Sequence, residues 1–160
     1  MKNVKIRDFV EMISIKNINN IYSDVVGINI FKKFVPTIAT LVKTDLSKYK
    51  IISKNQYAFN AMHVGRDKVL PIALYNLDSP SLVSPAYHVF KISNENIIIP
   101  KYLQLIFERP KFDYEIWLKS NNGIRGNLTL DDFLNINLSI HNIEEQQHII
   151  DNIRSDSYAY

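Results

Sequence analysis

The chain contains no cysteine, which rules out a disulfide framework and any thiolate metal site and fits a reducing compartment. Glycine is almost as scarce, with four in 160 residues. No stretch approaches the ~20 apolar residues that cross a bilayer. The opening Met1-Lys2-Asn3-Val4-Lys5, followed by Arg7, Asp8 and Glu11, lacks the uninterrupted apolar run of a secretory leader. Membrane insertion and secretion are not expected, and a cytoplasmic location is. A Gly-rich phosphate loop, a Gly-x-Ser-x-Gly elbow and the Pro-Pro-Tyr motif of amino-methyltransferases are also missing, as are internal repeats and low-complexity segments.

Nor do the acids and histidines present assemble an enzyme on paper. Asp113-Tyr114-Glu115 with Lys119 has a superficial likeness to a metal-nuclease cluster, but Glu115 and Lys119 stand four apart on a predicted helix, where a surface ion pair is the simpler reading. His63, His88, His141 and His148 show no ligand spacing, so no metal site is expected. The chain is expected to be non-catalytic.

What remains is a globular composition, 46% apolar and 22% charged, which argues against global disorder. A net charge of +3 and a pI near 9.0 give only a mild preference for acidic partners such as nucleic acid. Apolar spacing at Ile6, Phe9, Val10 and Ile13 predicts a short opening helix. Short β-rich runs follow at 25–30, 49–52, 56–60, 69–75 and 82–92, broken by Pro36, Asn55, Gly65, Pro71, Pro80 and Pro85, and predict a curled, mostly antiparallel sheet. Pro100 suits a first helical turn, with Tyr102, Leu103, Ile106 and Phe107 on one face until Pro110 stops the helix. A second helix over 112–119 carries Phe112, Ile116 and the sole tryptophan, Trp117, read as core side chains in preference to a base-stacking platform. Thr129 is placed to cap a short turn, 135–140 reads as a last strand, and Asn142 with Glu145 predicts a capped final helix. That helix carries Ile143, Ile150 and Ile153 with Gln146 between them. The fold class is α+β, a curled antiparallel sheet with flanking short helices.

Three of the four glycines fall in two segments, His63-Val64-Gly65-Arg66-Asp67-Lys68 and Asn121-Asn122-Gly123-Ile124-Arg125-Gly126-Asn127. In each an arginine rides on a glycine turn beside amide or imidazole side chains, the set that makes two-pronged contacts to base edges or phosphates. The ordinary reading of one such turn is a solvated loop. Lys48, Lys50 and Lys54 crowd one stretch, as a solvated face or as phosphate contacts.

Taken in order, Asp45-Leu46-Ser47-Lys48-Tyr49-Lys50-Ile51-Ile52, Tyr57-Ala58-Phe59-Asn60-Ala61-Met62-His63-Val64-Gly65-Arg66-Asp67 and Val83-Ser84-Pro85-Ala86-Tyr87-His88-Val89-Phe90 resemble a target recognition domain of a type I restriction-modification specificity subunit. Pro100-x-Tyr102-Leu103, Asn122-Gly123-Ile124-Arg125-Gly126 running into Leu130-Asp131-Asp132-Phe133, and Ile143-Glu144-Glu145-Gln146-Gln147 continue the match over nearly the whole chain. The resemblance implies a module that reads one half of a split site in double-stranded DNA. It would give specificity to a partner methylation subunit, and to a restriction subunit when that joins. S-adenosylmethionine and ATP would bind those partners, leaving this chain without a cofactor of its own.

On this resemblance residues 1–141 form the recognition domain, and 142–160 the truncated start of a spacer helix plus tail. A single-domain or half-subunit form follows, with weak self-association or pairing with another half-subunit. Ser139-Ile140-His141-Asn142 stands where the family has a proline-rich approach to the spacer. Arg66 and Arg125 would read guanine, Asn121, Asn122 and Asn127 adenine, with His63 beside them. Lys43, Lys48, Lys50, Lys54 and Lys68 would hold phosphates. Arg66 has a second reading, an ion pair with Asp67 that shapes its loop, and Ser84-Pro85-Ala86 reads as a stiff lead into the strand carrying Tyr87. The alternative function is an interaction protein that engages the methylation subunit without reading DNA.

Overall fold

The computed structural model describes residues 1–37, 43–62, 64, 68–120 and 128–158, with side chains through 154. Its centre is a four-stranded antiparallel sheet in the order β2 (Val10–Ile13), β9 (His88–Ile92), β6 (Gln56–Phe59), β7 (Ile72–Leu74). Three two-stranded ladders surround it: β1 (Lys2–Lys5) with β10 (Asn137–Ile140), β3 (Val26–Ile28) with β4 (Phe34–Pro36), and β5 (Lys50–Ile52) with β8 (Ser81–Val83). The helices are α1 (Pro100–Phe107), α2 (Pro110–Lys119), α3 (Leu130–Leu134) and α4 (Ile143–Tyr158). The fold is α+β as the sequence predicts, but its strands fall into several small ladders around one sheet.

Both faces of the central sheet are covered. Tyr57, Phe59 and Phe90 project to the helical side, where Tyr57 stacks on Phe90 at 4.9 Å and Phe59 on Phe133 of α3 at 4.1 Å. Phe107 of α1 meets Tyr57 edge-on at 5.7 Å. Such offset and edge-on pairs add roughly 0.5–1.5 kcal/mol each beyond the area they bury. Ala58, Ala73 and Val89 project to the opposite side, against Ile28, Ile52, Val83 and Tyr87 of the small ladders. Burial on both faces explains why Tyr57-Ala58-Phe59 reads as an unbroken apolar run instead of an alternating one.

The predicted opening helix is not formed. Lys5 donates its N–H to Asp8 (2.9 Å), closing a single 3₁₀ turn at Ile6–Asp8, and Val10–Ile13 then runs as a strand against Ile92–Val89. Its four apolar residues satisfy the helical period and a strand–turn–strand path alike. The β-branched Val10 and Ile13 and a partner strand remote in sequence decide for the latter. Pro110 ends α1 and also opens α2 at its first turn, where a missing N–H costs nothing.

The capping expectations hold. Thr129 Oγ1 accepts from Asp132 N at 3.1 Å, and Asn142 Oδ1 accepts from Glu145 N at 2.8 Å. Gln146 is fully buried, and its side chain accepts from Ile99 N (2.9 Å) while donating to Ile97 O (3.0 Å) and His141 O (2.8 Å). The first half of α4 is thereby stapled to the segment that leads into α1, with Ile150 buried beside it and Ile153 45% exposed. Among the described residues no helix is long and apolar enough to cross a membrane.

Candidate nucleic-acid interface

The register of the central sheet gathers Ile13, His88, Phe59 and Ile72 at one end and Val10, Ile92, Gln56 and Leu74 at the other. The first end carries the roots of both glycine–arginine segments. Ala61, two residues past β6, accepts a hydrogen bond from Leu128 N at 3.1 Å, so the segment after Phe59 and the segment before α3 are pinned to each other. On the far side of the first segment, Lys68 N donates to Val64 O (2.7 Å) and Leu70 N to Asp113 Oδ1 of α2 (3.1 Å). Val64, Leu70 and Leu128 all enter the aromatic core. His63, Arg66, Asn121, Asn122, Arg125 and Asn127 themselves lie outside the described residues.

Lys68 is exposed, has the left-handed φ of 55°, and holds its ammonium 5.6 Å from the Trp117 ring centroid. That backbone conformation is uncommon for a side chain larger than glycine's.

The same end collects further cations. Lys50, at the start of β5, donates Nζ to Tyr87 O at 2.6 Å, next to His88. Lys16, three residues past β2, sits directly opposite Lys50 in an isolated antiparallel bridge, secured by Ile51 N to Ile15 O (2.8 Å) and Asn17 N to Tyr49 O (2.9 Å). Burial, reinforced by the Lys16 charge, holds the Lys50 ammonium below its ordinary value. Burial, reinforced by Lys50, does the same to the His88 imidazolium. Like charges facing each other across a ladder are unfavourable in the free protein and become favourable once an anion settles between them. Lys48 closes the 3₁₀ turn Leu46–Lys48, which Asp45 caps through Ser47 N (3.1 Å), and Lys43 is exposed shortly before it.

Lys54 is elsewhere. It lies in the turn before β6, at the far end of the sheet, and pairs with Asp78 at 2.8 Å. A groove of about 940 Å³ opens beside it, lined by Leu77, Lys101, Leu105, Ile150, Ile153 and Arg154 among others.

The acidic residues that superficially resembled a nuclease cluster point apart. Asp113 turns inward to a salt bridge with the buried Lys32 (2.8 Å), whose Nζ also donates to Phe107 O, while Glu115 lines a separate cleft with Arg109 and Lys111. Lys16 was not singled out by the sequence, where it sits in the unremarkable run Ile15-Lys16-Asn17. Its neighbour Asn17 is buried and binds Tyr22 O (2.9 Å) and Leu46 O (3.2 Å), which fixes the lysine beside it. Ser84-Pro85-Ala86 forms a turn ahead of β9, with Tyr87 N bonded to Ser84 O (3.0 Å) and Tyr87 OH accepting from Ile28 N (3.0 Å), and Tyr87 lies just before the strand instead of on it.

No protein-family model matches the sequence, and no curated protein matches it either. Solved structures do share the fold. The HsdS subunit from Thermoanaerobacter tengcongensis superposes with a TM-score of 0.68 at 19% identity, over 96% of this chain and 41% of that one. A structure described as the basis of complex assembly and conformational transition of the type I R-M system gives 0.59 at 13% identity, over 99% of this chain and 39% of that one. The type I restriction-modification system S subunit from M. genitalium gives 0.52 at 10% identity, over 91% and 36%. This chain therefore has the α+β fold of part of a type I S subunit, in agreement with the resemblance its motifs carry. It spans about two-fifths of the length of these neighbours.

Proposed function

We propose that the chain is a non-catalytic DNA target recognition domain that supplies sequence specificity to a type I restriction-modification complex by reading one half of a split site. The observation that carries this reading is that the stretches flanking both glycine–arginine segments are joined, through Leu128 N and Ala61 O, at a sheet end crowded with Lys16, Lys50, His88 and Lys68. Arg66 and Arg125 read guanine and Asn121, Asn122 and Asn127 adenine in the major groove, with His63 alongside. Lys43, Lys48, Lys50 and Lys68 hold phosphates, joined by Lys16, while Lys54 faces away from that end. Residues 1–141 form the reading module and 142–160 the start of a spacer. S-adenosylmethionine and ATP belong to the methylation and restriction subunits, and the assembly works in the cytoplasm.

The test is selection of binding sites from a random duplex pool, with and without a methylation subunit. A short enriched motif supports the reading, and no enrichment under either condition overturns it. A second reading is favoured by the groove beside α4, whose apolar floor and basic rim suit a protein surface. In it the chain engages the methylation subunit without reading DNA. Capture of that subunit with its DNA preference unchanged supports this alternative.

A further inference from the structure

Helix α2 has two faces. Phe112 and Ile116 are buried in the core, and Asp113 is half-buried against Lys32 and Leu70. Tyr114, Trp117 and Leu118, spaced to share the other face, look outward, with Tyr114 60% and Leu118 45% exposed and Trp117 half-buried. The Tyr114 and Trp117 rings lie 6.3 Å apart at 33°, and the Lys68 ammonium stands over Trp117. The expectation that Phe112, Ile116 and Trp117 are all core is thus met by the first two only. An outward-facing aromatic pair, one ring mostly exposed and the other half-buried, with a cation on top is not explained by core packing alone.

Its position narrows what covers it. Ser120, whose hydroxyl bonds Trp117 O at 2.7 Å, immediately precedes the second glycine–arginine segment, and Lys68 is the last residue of the first. The patch therefore adjoins both roots, and any duplex read there passes beside it.

Resting on the DNA-reading proposal above, we infer that Tyr114 and Trp117 form a contact platform for the nucleotide strand flanking the bases read. The rings lie against sugar and base while Lys68 meets the adjacent phosphate. Aromatic and apolar side chains contact nucleotides with little regard to sequence, by stacking or by wedging at a base step, so the platform adds affinity and not selectivity.

Because Trp117 is the sole tryptophan, the protein reports on this itself. A duplex bearing the selected motif is titrated into the full chain, with the methylation subunit in a tryptophan-free form if that subunit is needed for binding. Tryptophan emission and the anisotropy of a dye on the duplex are followed together. Emission quenched along the same isotherm as the anisotropy is the expected result. Trp117→Ala and, separately, Tyr114→Ser should each weaken binding about tenfold for all duplexes while the selected motif is retained. Tyr114, being mostly exposed, serves as the variant that leaves the core intact if the tryptophan change lowers stability. Anisotropy that rises while emission stays constant overturns the platform and leaves DNA reading standing. Emission that responds only to the methylation subunit marks the patch as a protein contact and also overturns it. No anisotropy change under any condition defeats the DNA-reading proposal and the platform with it.

Discussion

Lys50 and Lys54 are four residues apart in one chain segment and end in opposite electrostatic settings. Lys54, at the far end of the sheet, is neutralised by Asp78 in an exposed pair. Lys50 is half-buried, held by the Tyr87 carbonyl, with Lys16 across from it and His88 adjoining. Lys32 makes a third case, buried and paired with Asp113 as part of the scaffold. Charges closed off by a carboxylate belong to the fold, whereas charges packed against other cations keep an unmet preference for an anion. The count of lysines in a segment says little about binding until these settings are separated.

The sharpest separation comes from the scaffold pair. Asp113→Ala leaves Lys32 buried without its partner and Leu70 N without its acceptor, so stability should fall by about 3–5 kcal/mol in urea denaturation. A loss within a few tenths of that for an ordinary surface change would erase the distinction between scaffold and binding cations. Next in size, Arg125→Ala should relax preference at a single base position by about 1–3 kcal/mol, read by repeating the site selection. Uniform weakening would instead assign Arg125 to the phosphates.

The lysines test the comparison directly. Lys50→Ala should lower affinity for all duplexes alike and reduce the slope of log K against log salt by about one unit, while Lys54→Ala should leave that slope unchanged and barely alter stability. Equal slopes for the two variants would abolish the contrast.

The smallest effect is a pH dependence. The folded state holds His88 below its ordinary pKa of 6.5, so on acidification the unfolded chain binds this proton first. The His88 contribution to stability is therefore fully present above about pH 6.5, falls as the pH drops toward the lowered folded value, and levels off beneath it. His88→Gln should remove that component of the slope in urea midpoints measured across the range.

The sequence carried most of the elements and little of their arrangement. The caps at Thr129 and Asn142 and the prolines at Pro100 and Pro110 act within a turn, so they were readable locally. The strands β1 and β2 were not, because their partners are Asn137–Ile140 and His88–Ile92, and Ile6, Phe9, Val10 and Ile13 fit a helix until those partners are known. Strand β4 escaped because three residues ending in a proline give no period to detect. At the candidate site the glycine–arginine segments were visible as composition. Their common root depends on a bond between residues 61 and 128, and Lys16 opposite Lys50 on a bridge spanning 34 positions, which no local pattern encodes.

The hydrogen bond from Leu128 to Ala61 also bears on how specificity can be transplanted. Because the flanks of the two segments proposed to read DNA meet at a common foot, a graft that imports only one of them inherits a foot shaped for the other. Donor residues 61–68 and 120–128 should travel together as a single cassette, and swaps of either stretch alone should cost folding before they change what is read.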